Sequence, residues 1–585
     1  MLYRAHPFQR LIAATFVLTI AMARASGQAA ERPGEWTMPG KDFAATRYSS
    51  LAQISAANVQ RLRMVWNFST GVLRGHEGQP LVVNNTMYVV TPYPNVLYAF
   101  DLTKEGYPLK WKYRPDVSRA ALGVACCDAI NRGAFYANGK IVYNLLDGHT
   151  VAVDAKTGKE LWNVKIADLT DGETTPMAPL VVRDRVIVGP SGGEFGIHGW
   201  TKALDLATGR VAWTAYNEGP DSDVLARAGS FKPFYDRGAD LALKSWPADA
   251  WKHAGAPVWG WLSYDPELDL IYYGVGNPGP YNPEQRPGDN KWTNSVLARR
   301  PGDGSLVWAY QFTPHDNWDY DSNAEMILAS LVIKGRQRRV LVHFDKNGFA
   351  YTMDRATGEV LVAEPFAHLN WAKRIDLVSG RPVLDSTKYT GASKGVVNNI
   401  CPSLEGGKSP ASPAAYSPRT GLFYVSTLNV CMSYEASKVG RIRGTPYIGA
   451  NTPYQAGPGG TSARSSRGTR CTAERPGRSR RSTRYGAGYS RQAETWCSTA
   501  RWTDGSRRPT RVPEKFSGSS RRVPALSALP SPSPVPTASS TSRCMPALEA
   551  TGRSSLATFD LTIPPTCETL RTSSRTSGVT RVRVE

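Results

Sequence analysis

The sequence predicts an all-β fold, an eight-bladed β-propeller whose blades end on tryptophan. Three observations carry this. Copies of one short motif return about every 50 residues. Strand-like runs such as "RVIVGP" and "LIYYGVG" lie between them and are expected to supply the inner strands. No G-x-G-x-x-G lies in a β-α-β context, which disfavours a nicotinamide-binding α/β fold.

The chain opens on an export signal, assigned to residues 1–25. Arg4 and Arg10 give a positive start, "LIAATFVLTIAM" is a short apolar run, and "ARA" supplies the small residues a signal peptidase reads. The run is short for a membrane span. The competing reading is a single N-terminal anchor. Export places the protein in an oxidising compartment, the periplasm, as a soluble rather than an integral membrane protein. The 8 cysteines can then pair. There is no C-x-x-C-H, so a built-in c-type haem is not expected.

The repeat domain spans residues 26–460. "AVDAKTGKELW" ends at Trp162 and "ALDLATGRVAW" at Trp213, 51 residues apart. A looser copy ends at Trp111, another 51 residues earlier, and "RRPGDGSLVW" ends at Trp308, near two periods on. "MDRATGEVL" gives a further copy at Thr357 and Gly358. Each reads as a strand, a turn and a second strand. The turn Asp accepts local backbone donors and the Gly permits positive φ. The Trp is placed to wedge between neighbouring blades. An intact chain of this length holds about eight four-stranded blades.

Composition changes near Gly460. Residues 461–585 contain 22 basic and 8 acidic residues; the rest of the chain holds 48 and 41. Most of the formal net charge of +21 therefore belongs to an Arg-, Ser-, Thr- and Pro-rich tail. It fits a disordered basic arm, a low-complexity extension, or a reading frame displaced within the gene. The last is preferred, because the tail combines high Arg with scattered Trp and Cys and has no repeat. An exported protein also has little nucleic acid to bind. On this reading the last blades are missing or scrambled.

Four segments gather chemistry on expected channel loops. "GVACCDAINRG" has adjacent Cys126 and Cys127 followed by Arg132. A bond between neighbouring cysteines closes almost no loop and stabilises little. "GPSGGEFG" holds Glu194, "VWGWLSYDPELDLIYYGVGNPGPYN" holds Trp259 and Asn277, and "PHDNWDYDSN" holds Asp316, Asp319 and Asp321. Taken singly, an acidic loop is more often a solvated turn and a propeller tryptophan more often packing. Together the oxygens make a hard set suited to a calcium-like ion.

With these motifs the chain resembles the quinoprotein alcohol dehydrogenases, and within them the methanol dehydrogenase large subunits. The likeness runs from "EWTMPGKDFAATRYSSLAQISAANVQRL" to "GTPYIGANTPYQAGPGG". It implies pyrroloquinoline quinone (PQQ) between a Cys126–Cys127 disulfide ring and Trp259. Arg132 would meet a cofactor carboxylate or ring oxygen. Glu77, Thr175, Ser191, Gly192, Gly193 and Lys346 would make further cofactor contacts. Glu194, Asn277 and Asp319 would hold the metal, and Asp319 would also be the catalytic base. Cys401–Cys431 would be a structural disulfide. Asp321, two residues after Asp319, resembles the lanthanide-using members, whereas calcium enzymes usually carry a smaller or neutral residue there.

The resemblance implies oxidation of methanol or another short primary alcohol, with the metal polarising the quinone and a cytochrome c taking the electrons. A homodimer is compatible with it. Pro176 stands for a usual threonine, Pro257 for a hydroxyl residue and Ser409 for an asparagine. The rival readings are a non-catalytic periplasmic scaffold and the inactive product of a damaged dehydrogenase gene.

Overall fold

The turn chemistry of the repeat sets the architecture. Asp154 Oδ1 accepts from the backbone N–H of Lys156 at 3.1 Å and of Thr157 at 2.7 Å, and from the Thr157 hydroxyl at 2.7 Å. Asp205 does the same for Ala207 and Thr208. Each turn closes two strands of an antiparallel sheet. A computed structural model describes residues 33–460 and two further strands, Ala463–Thr469 and Gly578–Val584.

Five four-stranded sheets follow one another, each with its strands paired in chain order. They run from Leu81–Val83 to Leu109–Tyr113, Ala134–Ala137 to Glu160–Lys165, Leu180–Val182 to Val211–Tyr216, Leu262–Asp265 to Leu306–Gln311, and Met326–Ile333 to Val360–Pro365. In the third sheet the first strand is fully buried while the fourth alternates toward solvent. The first strands therefore line the inside of the ring. "RVIV" and "LIYYGV" are each the second strand of their blade and carry its core.

The repeat tryptophans lock neighbouring blades together. A Cβ on Gly158 would lie 2.7 Å from the Trp111 ring, one on Gly209 2.8 Å from Trp162, one on Gly304 2.7 Å from Trp213, and one on Gly358 2.6 Å from Trp308. All four glycines have φ between +71° and +79°. Only glycine satisfies both demands at once, a left-handed backbone and an indole laid flat on the Cα. The indole N–H groups of Trp162, Trp213 and Trp308 then donate to the carbonyls of Leu206, Pro301 and Arg355.

Beyond Pro365 the order changes. Ala372–Asp376 and Arg381–Leu384 form a two-stranded hairpin. Val430–Ala436 pairs with Val396–Ile400, Ala450–Asn451 and Tyr454–Ala456. Leu422–Leu428 pairs with Ala415–Ser417 and Ala463–Thr469, and Leu62–Ser69 pairs with Gly578–Val584. Two segments of the basic tail are thus strands. The remainder of that tail and the predicted signal segment lie outside the described residues. Among the described residues no helix is long and apolar enough to cross a membrane.

Candidate active site

Three loops converge where the second strand of the fourth blade ends. Gly193 and Gly276 make the convergence possible. A Cβ on Gly193 would stand 2.4 Å from Asn277 Oδ1, and one on Gly276 would stand 2.5 Å from Asp321 Oδ1. Asn277 and Asp321 are thereby brought into contact, and Glu194 and Asp319 lie near enough for their charges to act on each other and on Asp321, although the three carboxylates do not all meet within 4.8 Å. The Asn277 backbone N–H donates to Asp321 Oδ1 at 2.7 Å. Lys346 Nζ lies 3.1 Å from Asp319 Oδ2 and 2.8 Å from Asp321 Oδ2. Tyr281, which the sequence reading did not single out, donates its hydroxyl to Glu194 Oε1 at 3.3 Å.

Asn277, Asp319 and Asp321 are buried and Glu194 half-buried, and the cluster carries more negative charge than positive. Asp319 and Asp321 are 5% and 3% exposed, Asn277 not at all. Burial pushes the Asp319 carboxyl well above its ordinary range. Lys346 opposes that shift, and the charges of Asp321 and Glu194 add to it. Burial also raises Glu194, with Asp321 adding to it. For Lys346 burial pulls downward, but Asp319 and Asp321 outweigh it and its pKa rises. Asn277 Oδ1 and Asp319 Oδ1 are buried without a hydrogen-bond partner. Unpartnered buried oxygens beside excess carboxylate are costly, and a hard cation removes the cost. These residues fit such an ion.

Arg132 and Trp259, two of the predicted cofactor residues, form the adjoining wall, joined to the Asn277–Asp321 cluster through Asn323. Cys126 and Cys127 are bonded to each other and exposed. Arg132 is buried with its guanidinium carbon 4.6 Å from the centre of the Trp259 ring. It donates to the Trp259 carbonyl at 3.2 Å and approaches Glu77 Oε2 at 3.1 Å. Burial lowers the Arg132 pKa, and Glu77 opposes that. The contact of Arg132 with Trp259 was not foreseen; the sequence reading directed Arg132 only at a cofactor. Asn323 Oδ1 accepts from the Trp259 N–H at 3.3 Å and fixes that loop, another contact not anticipated. The partly exposed indole and the fixed cation suit a flat anionic ring system.

The remaining predicted residues frame this wall. Ser191 pairs with Thr174 through both backbone hydrogen bonds. Gly192 is buried, and a Cβ there would lie 2.5 Å from the Gly172 carbonyl. The fully buried Thr175 hydroxyl donates to the Leu145 carbonyl at 2.5 Å, which leaves it only acceptor capacity. Pro176 keeps the carbonyl that accepts from Arg132 N–H at 2.9 Å. Cys401 and Cys431 are bonded and lie away from this cluster in sequence, between the two strands Val396–Ile400 and Val430–Ala436. Their sulfurs lie near His368, but as a disulfide they offer no thiolate to a metal.

Comparison with known proteins agrees with this geometry. Residues 36–364 match the family model described as PQQ, glucose/ethanol/alcohol dehydrogenase, beta-propeller domain. The lanthanide-dependent methanol dehydrogenase of Methylacidiphilum fumariolicum (strain SolV) is 53% identical over 430 residues, covering 73% of this chain and 70% of the relative. That of Methylorubrum extorquens (strain AM1) is 49% identical over 439 residues, 73% and 72% of the two chains. A solved europium-containing methanol dehydrogenase superposes with a TM-score of 0.72 at 52% identity, covering 74% of this chain and 75% of the other. The chain belongs to the PQQ-dependent alcohol dehydrogenases, a family of β-propeller oxidoreductases.

Proposed function

We propose that this chain oxidises methanol or another short primary alcohol to the aldehyde in the periplasm, using PQQ and a trivalent lanthanide ion, and passes electrons to a cytochrome c. The carrying observation is the second carboxylate: Asp321 lies with Asp319 against Lys346, beside the unpartnered oxygens of Asn277 and Asp319. Three carboxylates favour a trivalent over a divalent ion of similar size. The resemblance to relatives named as lanthanide-dependent and as cytochrome c-linked methanol dehydrogenases supports the same reading.

Glu194, Asn277, Asp319 and Asp321 would hold the ion, and Arg132, Glu77, Trp259, Ser191 and the Cys126–Cys127 ring would hold the quinone. PQQ, when bound, supplies a two-electron acceptor that no side chain provides. Asp319 accepts the alcohol's hydroxyl proton at a carboxylate oxygen as general base. Lys346, 3.1 Å from Asp319 Oδ2, favours the ionised carboxylate against the pull of burial. The Trp259 loop, pinned by Asn323, and the buried Tyr281 limit water at the site.

The test is turnover of the full chain after reconstitution with PQQ and either lanthanum or calcium. Lanthanum-dependent activity is expected, with Asp321→Ala abolishing it and Asp319→Asn lowering kcat by about 10²–10⁴. Turnover with calcium alone overturns the metal assignment. We propose further that residues 461–585 arise from a displaced reading frame and contribute no chemistry. Sequencing the gene around codon 460 checks this, and a gene whose frame is undisplaced there overturns it.

A further inference from the structure

Two buried side chains bridge the loops that carry the ion ligands, yet touch none of the ligand oxygens. Arg286 is 2% exposed. Its Nε donates to the Pro280 carbonyl at 2.7 Å, its Nη2 to the Asp316 carbonyl at 2.5 Å and its Nη1 to Asn290 Oδ1 at 2.9 Å. Pro280 lies three residues after Asn277, and Asp316 three before Asp319. Asn294 makes the same crossing a second time. Its backbone N–H donates to the Gly276 carbonyl at 3.0 Å, and its Nδ2 to Asp316 Oδ2 at 3.2 Å.

Asp316 is the hub. Its carboxylate also accepts from the backbone N–H groups of Trp318 and Tyr320, each at 3.0 Å, which flank Asp319. Asp319 itself sits at φ +65°, a backbone state that a non-glycine residue keeps only where its surroundings enforce it. The guanidinium fork satisfies three acceptors in fixed directions, which an ammonium cannot do.

We propose that Arg286, Asp316 and Asn294 form one clamp that sets the span between Asn277 and the Asp319–Asp321 pair, and so selects the ionic radius the site accepts. The three act as positioning residues. A cage of fixed span favours ions of one size, and a loosened cage accepts neighbouring sizes with less discrimination. The proposal rests on the ion-binding reading above.

The experiment titrates the metal-free full chain with trivalent lanthanides from lanthanum to lutetium, ions of one charge and falling radius, by calorimetry without PQQ or substrate. Asn294→Gly removes the Nδ2 donor together with an Oδ1 that is buried without a partner and keeps the backbone N–H bond to Gly276, and glycine suits the φ of +50° at that position. Arg286→Lys keeps the charge and loses the fork. In both variants affinity for the preferred ion is expected to fall about tenfold or more, and the ratio between best- and worst-bound ions to shrink. Asn294→Gly should do so with the melting temperature of the metal-free protein unchanged. Variants that keep the wild-type ratio across the series, even with weaker binding or lower stability, overturn the clamp and leave the ion site standing. A wild-type chain that binds no lanthanide overturns the ion site and the clamp with it.

Discussion

The blades between Leu81 and Pro365 and the strands after Ala372 differ in how neighbours are joined. In the first region each blade is contiguous in the chain, and the tryptophan of one docks on the turn glycine of the next. That series ends with the fifth blade, whose last strand, Val360–Pro365, carries no tryptophan. In the second region several strands pair out of chain order, and the turn glycine Gly380 packs on Tyr235 instead. Exposed apolar side chains are also prominent there, with Val378 90% and Val396 52% exposed. The candidate ion ligands, Lys346 and the Arg132–Trp259 pair all belong to the regular region or the loops between its blades. The regular blades thus rest on a repeated contact between neighbours, while the strands after Ala372 rest largely on non-local pairing. Local contacts form with little loop-closure entropy, which non-local pairings must overcome.

The sharpest way to break the comparison is at a docked tryptophan. Trp213 is 8% exposed, its indole N–H donates to Pro301, and its ring covers Gly304. Trp213→Ala is expected to cost about 3–5 kcal/mol. Val378→Ala, in the irregular region, should stay within about 0.5 kcal/mol. Urea denaturation of the two variants checks the contrast; equal losses would mean the docking series does not dominate stability.

A glycine pair separates docking from backbone strain. Gly209 and Gly421 have φ of +74° and +66°, but a Cβ on Gly209 would meet Trp162 at 2.8 Å while one on Gly421 would meet nothing within 4 Å. Gly421→Ala should cost about 1–2 kcal/mol, the left-handed backbone alone. Gly209→Ala should add about 1–3 kcal/mol of overpacking. The difference between the two melting curves reads the docking contact directly.

Much of the regular region was legible in the sequence because its signal is local. Asp154, Thr157, Gly158 and Trp162 lie within nine residues, and each does within its own turn or the next blade what the motif implies. Glu194 and Asn277 stand out as polar residues beside glycines, but their assignment to a metal together with Asp319 and Asp321 comes from the family resemblance. The clamp was legible in neither way. Arg286 reads as an ordinary charged residue in a proline-rich loop, and only the fold brings its fork to the carbonyls of Pro280 and Asp316. Arg132 over Trp259 joins residues 127 positions apart, and no spacing announces it. Gly380 docking on Tyr235 escaped because the turn from Asp376 to Gly380 lacks both the Thr and the following Trp.

The smallest expected effect tests how the two regions are fastened. Arg381, at the start of a strand of the irregular hairpin, makes a two-pronged ion pair with Asp289 of the fourth blade, at 2.6 and 2.8 Å. The hydrogen bond from Arg381 lowers the Asp289 pKa, burial opposes it, and the charge of Arg381 lowers it further. A depressed folded pKa means the contribution is complete above the unfolded aspartate value of about 3.9 and fades as pH falls through the folded value. Exposure limits its size to about 1 kcal/mol or less. Protection factors across residues 372–384, that is, exchange rates relative to the intrinsic rate at each pH, should therefore fall only below about pH 4, while those in the docked blades do not change with it. Asp289→Asn should remove that acid step and leave faster exchange at neutral pH. An acid step that survives in Asp289→Asn would show that some other group fastens the hairpin to the ring.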